Sequence, residues 1–262
     1  MPDPEEVPSA DGTPIAVWRT GEGPPLVLVH GAAADHGRWA PVLPALQERF
    51  TVLAMDRRGR GASGDAEDYA IEREYEDVAA VVEWAGDGVD LLGHSHGGVC
   101  AIEAALLTDR VGRLVVYEAP MGFLKTPPHV VDRLEQLLAA GERDELLAVF
   151  LGDVAGLPED QVALMRSLPA WEGRLAAAGA IPREERVTRD YVFDPDRFRA
   201  LRVPTLLLQG GDSPAAFMQA AEALQAVLPQ SRIAVMPGQR HAAMDTGTEL
   251  FTAEALAFLS PR

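Results

Sequence analysis

Ser95 stands in the stretch Gly93-His94-Ser95-His96-Gly97, and the chemistry this spacing offers is attack by a serine oxygen on a carbonyl carbon. The short apolar run Val89 to Leu92 precedes it, and the helix-forming segment Val99 to Leu107 follows. A strand that turns this sharply into a helix forces its central residue into a strained backbone, and small residues on both sides let the turn close. The hydroxyl then stands clear of the sheet edge. Because a serine hydroxyl is a weak nucleophile at neutral pH, a base must lie within hydrogen-bond reach, and the chain has 6 histidines to draw on. Upstream, Pro25 to Val29 runs into His30-Gly31-Ala32-Ala33-Ala34, a loop of small residues whose backbone N–H groups can approach an oxyanion closely. Downstream, Ile233 to Met236 runs into Pro237-Gly238-Gln239-Arg240-His241, which leaves a histidine in a loop after the last strand.

These segments belong to a longer alternation. Strand-like runs recur at Pro14 to Arg19, Leu26 to His30, Thr51 to Met55, Val89 to Leu92, Leu114 to Tyr117, Thr205 to Gln209 and Arg232 to Met236. Most are continuous Val/Leu/Ile runs, the pattern of strands buried on both faces of a parallel sheet. Helical spacing fills the intervals at Trp39 to Gln47, Ile71 to Trp84, Val99 to Leu107, Phe217 to Val227 and Leu250 to Leu259. A doubly wound, mostly parallel α/β fold is predicted. Between Pro120 and Arg202 the strand pattern stops. Short helices are predicted there at Val130 to Ala139, Arg143 to Phe150, Glu159 to Ser167, Trp171 to Ala178 and Arg183 to Tyr191, with breaks at Gly141, Gly152, Pro158, Pro169, Gly179 and Pro182.

From Val17 to Leu259 the chain resembles the α/β-hydrolase family, through the Gly-x-Ser-x-Gly turn, the small-residue loop after Val29 and the order serine, acid, histidine. The resemblance implies a core of residues 1–119 and 203–262 with residues 120–202 inserted as a helical cap over the strand ends. It also implies Ser95 as nucleophile, His241 as base, and the backbone N–H groups of Ala32 and His96 as an oxyanion hole. Two acids are candidates. Asp212 follows the strand ending at Gln209, the commoner family position, yet the family's usual gap of two residues after the glycine would put the acid at Ser213 when counted from Gly210. Glu118 ends the preceding strand, where some family branches carry the acid, and a carboxylate at the end of a buried strand needs a partner such as His241; it is the favoured candidate. Ser95 departs from the aspartate nucleophile of the dehalogenases and epoxide hydrolases of this fold. A cofactor-independent hydrolase of carboxylic esters or lactones is expected. The same triad would also serve C–C hydrolysis, a lyase or a peroxidase reaction, and the same scaffold serves small-molecule receptors. In a cap, Met121, Phe123, Leu124, Phe150 and Trp171 would set the preference for acyl size.

His94 and His96 flank a sharp turn, so their side chains are expected to pack or to line the cavity wall. His30 is expected to bond backbone, and His36 and His129 to be exposed. Arg57, Arg58 and Arg60 form one dense positive patch, expected to hold its turn by pairing with acids such as Asp56, with an anionic substrate group as the alternative. No histidine and carboxylate cluster has zinc-ligand spacing, and Cys100, the single cysteine, is expected to be buried on the helix after Ser95. A formal charge of −17 repels nucleic acid and anionic membrane surfaces. No apolar stretch reaches the ~18 residues of a membrane span, and a cytoplasmic location is expected.

Overall fold

The computed structural model describes residues 3–167 and 170–259; the expected break at Pro169 lies outside them. Eight strands form one sheet: β1 (Glu5–Pro8), β2 (Pro14–Thr20), β3 (Pro25–Val29), β4 (Thr51–Met55), β5 (Val89–His94), β6 (Val111–Tyr117), β7 (Thr205–Gly210) and β8 (Ser231–Met236). Their order is β1-β2-β4-β3-β5-β6-β7-β8, with the β1–β2 and β2–β4 pairings antiparallel and the other five parallel. The strand β1 carries no apolar run, and only Val7 of its four residues is buried, which is why no strand is legible there.

The unbroken apolar runs divide between two cores by simple alternation. Val27, Val29, Leu91, Leu114, Val116 and Leu207 face one core, while Leu26, Leu28, Leu92, Val115, Leu206 and Leu208 face the other. Helices α2 (Ile71–Ala85), α3 (His96–Ala104) and α10 (Ala215–Gln225) cover the first face. Helices α1 (Leu43–Gln47), α11 (Ala243–Thr246) and α12 (Thr248–Leu259) cover the second. The helix expected over Trp39 to Gln47 is instead a 3-10 turn at His36–Trp39 followed by α1, which has Pro44 in its first turn. Proline removes a donor and fixes φ, so it starts the helix and does not sit inside it.

Between β6 and β7 the chain is helical: α4 (Pro128–Ala139), α5 (Arg143–Val149), a π-helical turn at Phe150–Val154, α6 (Glu159–Arg166), α7 (Ala170–Ala177), α8 (Ile181–Asp190) and α9 (Pro195–Phe198). Gly141 makes the turn between α4 and α5 at φ 76°. Pro182 lies in the first turn of α8, where proline is tolerated, so it opens a helix and breaks none. These helices bury an apolar cluster of their own, including Leu134, Leu147, Phe150, Trp171 and Ile181, and the cluster closes onto Ala33 of the loop after β3. Met121 is not part of it: this residue packs in the sheet core beside α3 at φ 43°. Phe123 is 40% exposed and meets Phe193. Among the described residues no helix is long and apolar enough to cross a membrane.

Candidate active site

The turn from β5 into α3 holds Ser95 at φ 55°, ψ −124°, outside the regions that L-residues favour. Its neighbours leave no room for side chains. A Cβ on Gly93 would fall 2.4 Å from the Gly97 carbonyl oxygen, and one on Gly97 would fall 2.3 Å from that of His30. The Ser95 N–H donates to Tyr117 O at 2.8 Å, and Gly98 N–H donates to Ser95 O at 2.9 Å, so the strained residue is fixed from both sides.

Register brings a carboxylate alongside. His94 pairs with Tyr117 across β5 and β6, which sets Glu118 beside Ser95 at the ends of adjacent strands. Glu118 is fully buried, and its own φ is 48°. Its Oε2 accepts a hydrogen bond from His241 Nδ1 at 2.6 Å, and its Oε1 accepts the Gly210 N–H at 2.7 Å. Both carboxylate oxygens are therefore engaged, which offsets the cost of burying the charge. With its proton on Nδ1, His241 keeps the Nε2 lone pair free to accept another. Asp212 is not in this constellation. It is exposed, its backbone N–H donates to Gln239 O at 2.9 Å, and its side chain makes no hydrogen bond among the described residues. Nor does it cap α10, whose first turn starts from Pro214 without a side-chain cap.

The His241 ring is held on several sides. Phe217 stacks on it with centroids 4.7 Å apart, and His94 lies 4.6 Å away with its Nε2–H donating to His241 O at 3.0 Å. Tyr117 pins the loop itself: its hydroxyl donates to Arg240 O and accepts the Ala243 N–H at 3.0 Å. No sequence motif marks Tyr117. The available signal is a phenol at the end of an otherwise aliphatic strand, since a buried Tyr O–H needs a partner.

Ala32 and His96 approach the serine through backbone. A Cβ on Gly31 would lie 3.0 Å from Ser95 Cβ, so the loop after β3 passes directly over the nucleophile turn. His96 is the first residue of α3, where helix geometry leaves N–H groups without an intrahelical partner. Neither the Ala32 nor the His96 N–H donates to another group among the described residues. Two donors beside a serine suit an oxyanion better than a neutral oxygen.

Most of the remaining histidines and the arginine patch are held by partners within the chain. His30 accepts the Arg57 N–H on Nε2 at 3.1 Å and donates from Nδ1 to Gly31 O at 2.8 Å; burial and Arg57 hold it neutral, down at about 3. His129 is exposed as expected, but His36 is not, because it bonds Asp56 at 2.8 Å and stacks on Trp18. Asp56 is taken up by His36, Trp18 and the Ala62 N–H, so the arginines find other acids. Arg58 binds Asp77 and Asp11. Arg57 binds Glu74 at 2.7 Å and Glu184 of α8, and Arg60 binds Glu184 at 2.5 Å. Burial opposes the charge on Glu74 and Glu184, yet the two arginines outweigh it and hold both carboxyls well below the usual range.

His96 reaches from the nucleophile turn into this cluster, with Nδ1 3.0 Å from Thr188 Oγ1 of α8; burial and then Arg57 push it down to about 4, so it is neutral. Glu74, His96 and Cys100 place ligand atoms within 4.8 Å of one another. They do not fit a metal ion, since the arginines already neutralise Glu74 and burial pushes the Cys100 thiol well up.

A family model described as the alpha/beta hydrolase family matches residues 26–254. An alpha/beta hydrolase from Sphaerobacter thermophilus is 38% identical, with TM-score 0.82, over 94% of this chain and 100% of that one. An esterase from Rhodococcus sp. ECU1013 is 26% identical, with TM-score 0.79, over 98% of each chain. A bifunctional esterase/perhydrolase of Acinetobacter calcoaceticus is 28% identical over 97% of this chain and 98% of its own.

Proposed function

The chain belongs to the alpha/beta hydrolase family, and within it we propose that this protein hydrolyses carboxylic esters or lactones through an acyl-enzyme on Ser95. The observation that carries the reading is the strained serine set beside a buried Glu118 whose hydrogen bond to the half-buried His241 fixes the histidine tautomer. In the first half-reaction His241 Nε2 takes the Ser95 proton while Oγ bonds to the carbonyl carbon, and the N–H groups of Ala32 and His96 receive the charge on the carbonyl oxygen. The imidazolium, stabilised by Glu118, passes its proton to the leaving alkoxide as the ester C–O bond breaks. A water then gives its proton to His241 and attacks the acyl carbon, and collapse returns the proton to Ser95. The relatives described above as esterases support the ester class. In this reading residues 120–202 are a cap that excludes water and shapes the acyl site, and residues 1–119 and 203–262 are the core.

A fluorophosphonate probe and a panel of p-nitrophenyl esters and lactones test it together. The probe is expected to label Ser95 in the natural protein and to leave Ser95→Ala unlabelled. Ser95→Ala and His241→Ala are each expected to lower kcat by on the order of 10³-fold or more, because the two act as a unit. Near-full ester hydrolysis by purified Ser95→Ala would refute the mechanism, and an unlabelled Ser95 would favour a binding protein on this scaffold.

A further inference from the structure

Arg174 lies on α7 one turn after Trp171, at the spacing i, i+3 that puts both residues on one helix face. Trp171 is buried in the apolar cluster that contains Ala33 and packs against Ala32, so this face shares its packing with the loop that passes over Ser95. Arg174 is itself half-buried. Among the described residues every other arginine withdrawn from solvent has a carboxylate within ion-pair distance; Arg174 has none.

The charges that act on Arg174 are those of Arg38, Asp245 and Asp35. They sit just beyond the two loops that frame the candidate site, Asp35 and Arg38 on the 3-10 turn and its cap and Asp245 on α11. Arg38 and Asp35 follow the small-residue loop, and Asp245 lies four residues after His241. Both acids are engaged elsewhere: Asp245 pairs with Arg38 at 2.8 Å, and Asp35 accepts the Gly37 N–H at 2.8 Å. Burial, with Arg38 adding to it, pulls the Arg174 guanidinium below its ordinary value, as expected of a cation lacking its counterion. A cation partly withdrawn from water and lacking an anion is unfavourable, and the arrangement is relieved when a ligand brings one. The long-range field does not attract anions, since the chain carries a net charge of −17. Attraction must come from a local, desolvated group.

Resting on the serine-hydrolase reading, we infer that Arg174 binds a carboxylate carried by the substrate, so that the preferred ester or lactone is anionic. Guanidinium suits this role because its planar fork matches a carboxylate with two parallel hydrogen bonds.

The test compares p-nitrophenyl monoesters of succinate, glutarate and adipate with neutral p-nitrophenyl esters of the same chain lengths. In Arg174→Met the ratio of kcat/KM for the anionic ester to that for its neutral counterpart is expected to fall at least tenfold for the best chain length, and Arg174→Lys is expected to recover part of it. Fluorophosphonate labelling of each variant shows that the site is folded. An unchanged ratio in labelled Arg174→Met overturns the inference. A second arm is independent of catalysis: calorimetry of Ser95→Ala protein with glutarate and adipate, with and without Arg174→Met. Binding that disappears with Arg174 supports the carboxylate site even if no ester is hydrolysed, and absence of binding to Ser95→Ala overturns it even if neutral esters are.

Discussion

Replacing Glu118 by glutamine removes one charge and almost no volume, and the surroundings of this side chain make the outcome calculable. The carboxylate receives two N–H donors at once, from Gly210 and from His241 Nδ1. Glutamine has one oxygen and one NH2 to offer. If its oxygen stays on Gly210, the NH2 faces Nδ1 and drives the proton to Nε2, where it blocks transfer from Ser95. If the amide turns over, the NH2 meets the Gly210 N–H and leaves buried donors without acceptors, at about 1–3 kcal/mol. Either way the imidazolium of the reaction loses its buried counterion, a loss of about 3–5 kcal/mol. That loss alone, at ~1.4 kcal/mol per tenfold, amounts to roughly 10²- to 10⁴-fold. We expect kcat of Glu118→Gln for p-nitrophenyl butyrate to fall by on the order of 10⁴-fold, the scale seen when a triad carboxylate is made an amide. Asp212→Asn is the matched control. Because that side chain is exposed and makes no hydrogen bond among the described residues, kcat should stay within about twofold and stability within about 0.5 kcal/mol. Circular dichroism of both variants excludes unfolding as the cause. Glu118→Gln with more than about a tenth of the natural kcat, or an inactive Asp212→Asn, would refute the assignment.

Glu184→Gln leaves Arg57 and Arg60 buried against Glu74 alone, so a urea titration at pH 7 should show a loss of about 3–5 kcal/mol, and a change below about 1 kcal/mol would show that the cluster is not coupled as drawn. Glu185, buried beside Thr126 and next to Glu184, has its carboxyl pushed up by burial from 4.5 to about 7. Across that window the folded chain keeps a proton that the unfolded chain has lost, so stability declines as pH rises through it and the penalty is complete above about 7. Glu185→Gln removes the decline, and its Tm should drop less than that of the natural protein between pH 5 and pH 8; equal drops would contradict the burial of that charge.

What could be read from the sequence was what short-range rules control. The seven longer strands announce themselves because most hold a continuous apolar run, and the turn at Ser95 because glycine is demanded on both sides of it. Glu118 was legible for an energetic reason, a carboxylate at the end of a buried strand, although the family's commoner position pointed to Asp212. Long-range pairing was not legible. Nothing near Arg57 in sequence announces Glu184, 127 residues away, and the nearest acid, Asp56, is bound to His36 and Trp18. His36 looked like a surface histidine because the ring it stacks on, that of Trp18, lies far back in the chain on β2. An acid close before a helix start often caps it, but Asp212 does not, because Pro214 takes the cap position of α10.

The pairing of Glu184 with Arg57 and Arg60 draws a seam that differs from the one suggested by chain topology. By topology, everything between β6 and β7 is one exchangeable insert. By electrostatics, α8 belongs to the sheet beneath it, because its carboxylate neutralises two core arginines and its Thr188 meets the histidine that follows Ser95. Chimeras that import a relative's helices as far as α7 keep this balance and can inherit a new acyl preference. Those that carry the exchange through α8 import a stranger to a buried charge cluster, and must bring the arginines' turn and α2 along with it.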